Sequence, residues 1–263
     1  MQTIEHIMCA ILAADGDLEY VKSHLGALLL PDAIRMYTKN REYSHFEQKA
    51  GDPSEYSYMR FPSDMKSITA ESVADLLEKD SHLVQHPPCV IGENTLVDKF
   101  AAHNPYLPMD MIDGIRMHLN QDVCFDIFVR EIINCEERYD DVFILKDDSV
   151  INGKAVRDYI ADVESQLAFV LAHMIHERYG LTINQAWFDH NVLPVLLDVY
   201  PEEMANNTYK YMKFRPDIDN AITKNDWSGL DLNVCLLSPW AFQHFCQQTI
   251  DATRISDDAA ESL

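Results

Sequence analysis

Apolar residues recur at helical spacing along most of the chain, and the longest such stretch covers residues 111–139. This periodicity predicts one long helix with an apolar face. Residues 155–179 are equally periodic and predict a second long helix, with Gly180 placed to end it. Near the amino terminus, Thr3 can cap a helix that ends at the polar turn of residues 15–17.

Proline and clusters of turn residues divide the rest of the chain. A helix over residues 18–30 is predicted to stop at Pro31, because proline has no N–H and restricts the residue before it. By the same reasoning we expect a surface loop at 50–67, a helix at 68–83, a short strand or loop at 140–154, a bent helical segment at 184–200, and helices beginning at 201 and 237.

The fold class follows from these elements and from the composition. The chain contains 8 glycines in 263 residues and is 47% hydrophobic, which favours helices around a sizeable core. The sequence therefore predicts an all-α fold, a single-domain multi-helix bundle with a central metal site. We expect one helical domain over residues 1–256 and an acidic flexible tail over 257–263.

The charge balance restricts the partners of the protein. The formal net charge is −22, from 43 acidic and 21 basic residues, so the chain repels duplex nucleic acid and anionic membrane surfaces. No apolar run approaches the roughly 20 residues needed to span a bilayer. The 6 cysteines form no CxxC pair and are expected to be reduced, which predicts a cytoplasmic protein. The sequence leaves the oligomeric state open.

Two pairs of side chains are candidates for chemistry. His118 and Asp122 are four residues apart on one long predicted helix, and His173 and Glu177 have the same spacing on the other. Residues with this spacing lie one above the other on a helix face, where an imidazole and a carboxylate can grip one cation. The alternative is that each histidine is hydrogen-bonded to its neighbouring carboxylate and holds no metal.

The order of the candidate ligands resembles a known superfamily. The segment HLGALLLPDAIRMYTKNREYSHF, residues 24–46, runs into Pro31-Asp32 and reaches His45 some dozen residues later. Together with the His-x-x-x-Asp and His-x-x-x-Glu pairs that follow, it is similar to the zinc-dependent phospholipase C and single-strand nuclease superfamily. The resemblance is closest to the intracellular bacterial proteins known as phospholipase C-like, which open with a short helix carrying a histidine.

The resemblance implies a set of metal ligands. One cluster would be formed by His6, Asp32, His45, His118 and Asp122, with Asp32 as the bridging carboxylate. A second ion would be held by His173 and Glu177. Secreted members use a free amino terminus as a ligand and a further histidine between the two pairs, but residues 123–172 contain no histidine. We therefore expect one or two ions, zinc first and manganese or iron as alternatives, with His176, Asp189 and His190 as partial substitutes.

The predicted function is hydrolysis of a phosphoester with metal-activated water as the nucleophile. The expected substrate is a small soluble phosphodiester or phosphomonoester. The polar and aromatic side chains of the predicted loop are candidates to contact it, and the alternative for these side chains is ordinary surface packing. Assigned to catalysis are Asp32, Arg35 and Arg60, with Tyr56 and Tyr58 beside the substrate and Asp52, Glu55 or Asp64 as the general base. The alternatives are a helical metallohydrolase acting on nucleotides and a non-catalytic acidic helical interaction or regulatory protein.

Overall fold

Helices dominate the protein and confirm the all-α class. The computed structural model describes residues 1–38, 56–59, 66, 77–80, 101–102, 104–139, 142–230, 247 and 249–251. The helices are α1 (Thr3–Ala13), α2 (Leu18–Thr38), α3 (Met109–Ile132), α4 (Lys154–Tyr179), α5 (Gln185–Asn191), α6 (Leu193–Val199), α7 (Glu202–Lys210) and α8 (Pro216–Lys224). The strands are β1 (Tyr56–Met59), β2 (Leu77–Asp80), β3 (Cys135–Tyr139), β4 (Val142–Leu145) and β5 (Val150–Asn152).

The core lies between the long helices. Helix α2 packs against α3, and α1 packs against both α2 and α4. Each contributes apolar side chains at helical spacing, so the faces that meet are continuous and dry. Residues less than 2% exposed include Ile7, Met8, Ile11 and Leu12 of α1, Leu25, Leu28 and Leu29 of α2, and Val163, Leu167 and Leu171 of α4.

Helix α2 does not stop at Pro31, so the predicted break at this proline is wrong. The helix continues through Pro31 to Thr38. Proline removes the hydrogen bond to the carbonyl of Ala27, but Ala33 and Ile34 beyond it are 0% and 3% exposed. Burial of these side chains outweighs the lost hydrogen bond, because tertiary packing supplies most of the stability of a helix in a folded protein.

The helix predicted for residues 111–139 is also too long. Helix α3 ends at Ile132, Asn134 adopts a positive φ of 52°, and the chain returns as β3. Strands β3, β4 and β5 form an antiparallel sheet in that order. The segment predicted as a short strand or a loop, residues 140–154, contains β4 and β5. Strand β3 was included in the predicted helix, because its central residues, Glu136, Glu137 and Arg138, are favourable in helices.

Other boundaries differ in smaller ways. Thr3 is the first residue of α1 and not its cap, because Gln2 occupies that position. The loop predicted at 50–67 contains β1, and the helix predicted at 68–83 contains β2, which pairs antiparallel with β1. Helix α4 ends at Gly180 in the left-handed conformation, as predicted. The bent segment at 184–200 is two helices, α5 and α6, and α8 was not predicted.

Cysteine chemistry and membrane topology agree with the sequence as far as the described residues extend. Cys9, Cys124 and Cys135 are buried and form no disulfide. In the described part of the chain, no helix combines the length and apolar character that crossing a membrane requires. The predicted acidic tail, residues 257–263, lies outside the described residues.

Candidate metal centre

Helices α1 and α3 bring three potential ligands together. His6 lies in α1, and His118 and Asp122 lie one turn apart in α3. Their ligand atoms all lie within 4.8 Å of one another, and within the described ranges they are the one such group of three or more. Both histidines are 0% exposed. The predicted i, i+4 pair on α3 thus supplies two members of the group, and α1 supplies the third.

The hydrogen bond of His118 determines which of its nitrogens carries the proton. Its Nδ1 lies 2.9 Å from the main-chain oxygen of Leu28 in α2. A carbonyl can only accept, so Nδ1 is the donor, and Nε2 of the neutral ring has a lone pair. That lone pair belongs to the nitrogen 3.6 Å from Oδ2 of Asp122.

His6 is arranged in the same way. Its Nδ1 lies 2.6 Å from Oε1 of Gln121, which is itself 0% exposed. With the amide oxygen as acceptor, Nδ1 is the donor and Nε2 has the lone pair. His6 Nε2 is buried and makes no hydrogen bond, although it lies 3.4 Å from Oδ1 of Asp122. Two nitrogen lone pairs and a carboxylate therefore lie close together, an electron-rich arrangement that a cation would stabilise.

The distances suit a divalent metal. Two donors that are each about 2.0 Å from a tetrahedral zinc ion are separated by about 3.3 Å, close to the 3.4 and 3.6 Å between the imidazole nitrogens and the oxygens of Asp122. The rings of His6 and His118 stack with centroids 3.7 Å apart and an interplanar angle of 17°. Because each lone pair lies in the plane of its ring, one of the rings has to tilt before both lone pairs can point at a single ion.

The surroundings of Asp122 keep its carboxylate in the charged form, which suits binding of a cation. Burial by itself raises the pKa of Asp122, but the positive charge of the Met1 amine is the largest opposing influence, and the pKa lies well below its ordinary value. The Met1 amine lies 3.2 Å from Oδ1 of Asp122 and 3.8 Å from Oε1 of Glu164. The side chain of Asp122 is 12% exposed, so solvent reaches the centre from its side.

A second buried carboxyl lies beside the centre. Glu5 precedes His6 in α1 and is 0% exposed; its Oε2 accepts a hydrogen bond of 2.6 Å from the Gln2 main-chain N–H, and its Oε1 has no hydrogen-bond partner. Burial, reinforced by the charges of Glu164 and Asp122, raises the pKa of Glu5 well above its ordinary value. Glu5 therefore retains a proton to higher pH than an ordinary glutamate, which limits the negative charge around the centre.

Asp32 and Arg35 are neighbours of each other in α2, outside the group of three. Asp32 is 2% exposed, and its Oδ2 accepts a hydrogen bond of 2.6 Å from the hydroxyl of Thr3. Arg35 Nη1 lies 3.8 Å from Oδ1 of Asp32, and the Arg35 side chain is 43% exposed. Asp32 thus joins α1 to α2, and its assignment as the bridging ligand stays a prediction.

The structure does not bring His173 and Glu177 into the group. Both lie in α4, where the ring of His173 contacts the edge of Trp227 with centroids 4.8 Å apart and Glu177 is exposed. His176 lies 5.6 Å from the same indole, and its buried Nδ1 makes no hydrogen bond. A second ion held by His173 and Glu177 remains a prediction that this arrangement does not support.

The remaining predicted site residues make other hydrogen bonds, lie in β1 or lie outside the described residues. Asp189 accepts hydrogen bonds from Tyr209 and Gln185, and His190 is exposed with its Nδ1 2.7 Å from the carbonyl of Ala186. Several predicted site residues lie outside the described residues, namely His45, Arg60, Asp52, Glu55 and Asp64. Tyr56 and Tyr58 lie in β1.

Sequence reasoning missed the groups that orient the histidines. Gln121 and the carbonyl of Leu28 fix the two imidazoles, Glu5 lies next to His6 in the chain, and Glu164 lies 3.8 Å from the Met1 amine. One signal was available, because Glu5 and His6 are adjacent polar residues in the otherwise apolar stretch IEHIMCAILA of α1. Gln121 offered no such signal, because a glutamine between His118 and Asp122 is an ordinary residue in a helix.

No protein family model, no curated protein and no solved structure matches the chain. The resemblance to the phospholipase C and nuclease superfamily therefore stays an expectation, and the geometry of the candidate metal centre is the remaining indication of function.

Proposed function

We propose that the protein is a metal-dependent hydrolase of a small soluble phosphoester, with one divalent cation bound by His6, His118 and Asp122. One observation carries the proposal: both buried imidazoles have their Nδ1 protons committed to neighbouring acceptors, so both Nε2 lone pairs face the same carboxylate. Ligating histidines are commonly held by such a hydrogen bond on their other nitrogen.

The ligand chemistry favours zinc, with manganese and iron as alternatives. Imidazole nitrogen with one carboxylate suits zinc, whereas calcium and magnesium prefer oxygen alone. When bound, such a cation polarises a phosphoryl oxygen and acidifies water. The same combination of ligands also serves non-haem iron centres, so the identity of the metal has to be measured.

Several features of the chain support a small substrate. Of the three ligands, Asp122 alone is partly exposed, which leaves a narrow approach to the centre. Arg35, with its half-exposed guanidinium, is our candidate for contacting a phosphate. The net charge of −22 disfavours polyanions such as duplex nucleic acid. Cys9, Cys124 and Cys135 form no disulfide, which favours a cytoplasmic location.

The proposal is tested with bis(p-nitrophenyl) phosphate and p-nitrophenyl phosphate as probes. We expect zinc-loaded protein to hydrolyse at least one of them, and a chelator to abolish the activity. His118→Ala should remove the activity, whereas His190→Ala, which changes an exposed histidine, should retain it. Hydrolysis that survives both the chelator and His118→Ala would exclude this centre as the catalyst.

The second candidate is a non-catalytic acidic helical interaction or regulatory protein, in which the centre is structural. The full burial of His6 and His118 favours this role, because a structural metal site needs no open position. It predicts that zinc binds and raises the melting temperature while neither ester is hydrolysed. If the purified protein contains no metal and zinc does not raise its melting temperature, the remaining candidate is an interaction protein that binds no metal.

A further inference from the structure

Helices α2 and α3 approach each other unusually closely at Gly114. A Cβ atom added to Gly114 would lie 2.4 Å from Cβ of Ala27, and 2.8 Å from both the carbonyl carbon of Ala27 and the nitrogen of Leu28. Two of these neighbours are main-chain atoms, which cannot rotate aside as the end of a flexible side chain can. No side chain therefore fits at position 114 unless the two helices move apart.

The same contact determines the hydrogen bond of His118. Gly114 precedes His118 by one helical turn on α3, so the two residues share a face. The acceptor for His118 Nδ1, at 2.9 Å, is the carbonyl of Leu28, the residue after Ala27. Both partners belong to rigid helices, so separating the helices by about 1 Å would take this distance beyond the limit of a hydrogen bond.

We infer that Gly114 is a positioning residue for the metal centre. By allowing α2 and α3 to touch, it places the Leu28 carbonyl where it fixes His118 as the Nδ1–H tautomer and leaves Nε2 towards Asp122. A side chain at position 114 separates the helices, releases His118 from Leu28, and allows the proton to move to Nε2, the nitrogen needed for the metal. The part of this inference that concerns metal affinity rests on the proposed function.

The test uses Gly114→Ala with two measurements. Nitrogen-15 NMR of the imidazoles in metal-free protein reports the tautomer of His118, and calorimetric titration with zinc reports affinity. We expect a single Nδ1–H tautomer in the wild type and a mixture in Gly114→Ala, with zinc affinity lowered on the order of 10–100-fold, as for other losses of a group that orients a ligand.

Two further variants separate positioning from general destabilisation. Ala27→Gly in the Gly114→Ala background removes the closest clash, so it should partly restore both the tautomer and the affinity. Gly26→Ala is the matched control, because the three atoms nearest to a Cβ there all belong to the Val199 side chain, the first of them at 2.8 Å. It should lower the melting temperature while retaining the wild-type tautomer and affinity.

The outcomes are distinct. Wild-type tautomer and affinity in Gly114→Ala would overturn the inference, and so would an equal loss of affinity in Gly26→Ala. If Gly114→Ala does not fold, Ala27→Val enlarges the other side of the same contact, because its two methyl groups cannot both rotate away from Gly114; an unchanged tautomer and affinity there overturn the inference. If the wild type binds no zinc although the His118 tautomer responds to Gly114→Ala, the proposed function fails and the positioning of the ring stands.

Discussion

Replacing Gln121 by methionine tests how the buried imidazole of His6 is held. The two side chains have similar volume, but methionine cannot accept the 2.6 Å hydrogen bond from His6 Nδ1. A buried donor without a partner costs about 1–3 kcal/mol of stability. For a chain of this size the melting temperature should fall by roughly 2–4 °C for each kcal/mol lost.

The same substitution should weaken zinc binding. Without the amide oxygen, His6 can carry its proton on Nε2, where it competes with the metal. Loss of such an orienting group typically lowers metal affinity 10–100-fold, and each factor of ten corresponds to about 1.4 kcal/mol. Calorimetric titration with zinc measures the affinity, and urea unfolding of metal-free protein measures the stability.

Gln185→Met is the matched control. The amide of Gln185 donates to the hydroxyl of Tyr209 and to the carbonyl of Met212, both at 3.1 Å, and its oxygen accepts from the Phe214 N–H. This variant should lose stability and retain zinc affinity. Our reasoning about His6 is refuted if Gln121→Met binds zinc as the wild type does, or if the two variants lose affinity equally.

Three further substitutions have defined outcomes. The pKa of Asp122 is depressed, so its contribution to the stability of metal-free protein is present above its ordinary pKa and is lost as the pH falls. Asp122→Asn should therefore flatten the acid limb of the profile of urea-unfolding stability against pH. An unchanged acid limb would contradict the depressed pKa. The pKa of Glu5 is raised by burial, so the folded protein loses stability as the pH rises from the ordinary pKa of glutamate through the raised pKa; Glu5→Gln should remove this decline, and an unchanged decline would contradict the raised pKa. Gly180→Ala places a side chain at φ 67° and should cost about 1–2 kcal/mol without changing zinc affinity; full stability would contradict the left-handed helix end.

Local sequence rules predicted the parts of the fold that depend on neighbouring residues. The periodicity of residues 155–179 and the glycine that follows correspond to α4 and its end. Pro31 misled the same reasoning, since burial of Ala33 and Ile34 maintains the helix beyond it. Strand β3 was missed because what identifies it as a strand is its pairing with β4. The short run CEERY on its own shows no alternation of apolar and polar residues.

The candidate site was predictable only in part for the same physical reason. Helical spacing alone places His118 beside Asp122, but the same spacing placed His173 beside Glu177, and nothing local distinguishes the two pairs. The difference is the third partner, because α1 brings His6 to Asp122, whereas His173 meets Trp227. Such convergence depends on how helices pack, which a single sequence does not report.

Zinc binding by the purified full-length chain tests the central claim most directly. We predict that the metal-free wild type binds one zinc ion, and that His118→Ala and Asp122→Ala, which each remove a ligand, weaken this binding by at least the roughly 10–100-fold expected for loss of an orienting group, with modest loss of fold. His190→Ala should bind as the wild type does, and a second ion lost in His173→Ala would add the site predicted at α4. A wild type that binds no zinc, or His118→Ala and Asp122→Ala variants that bind it unchanged, would contradict the account.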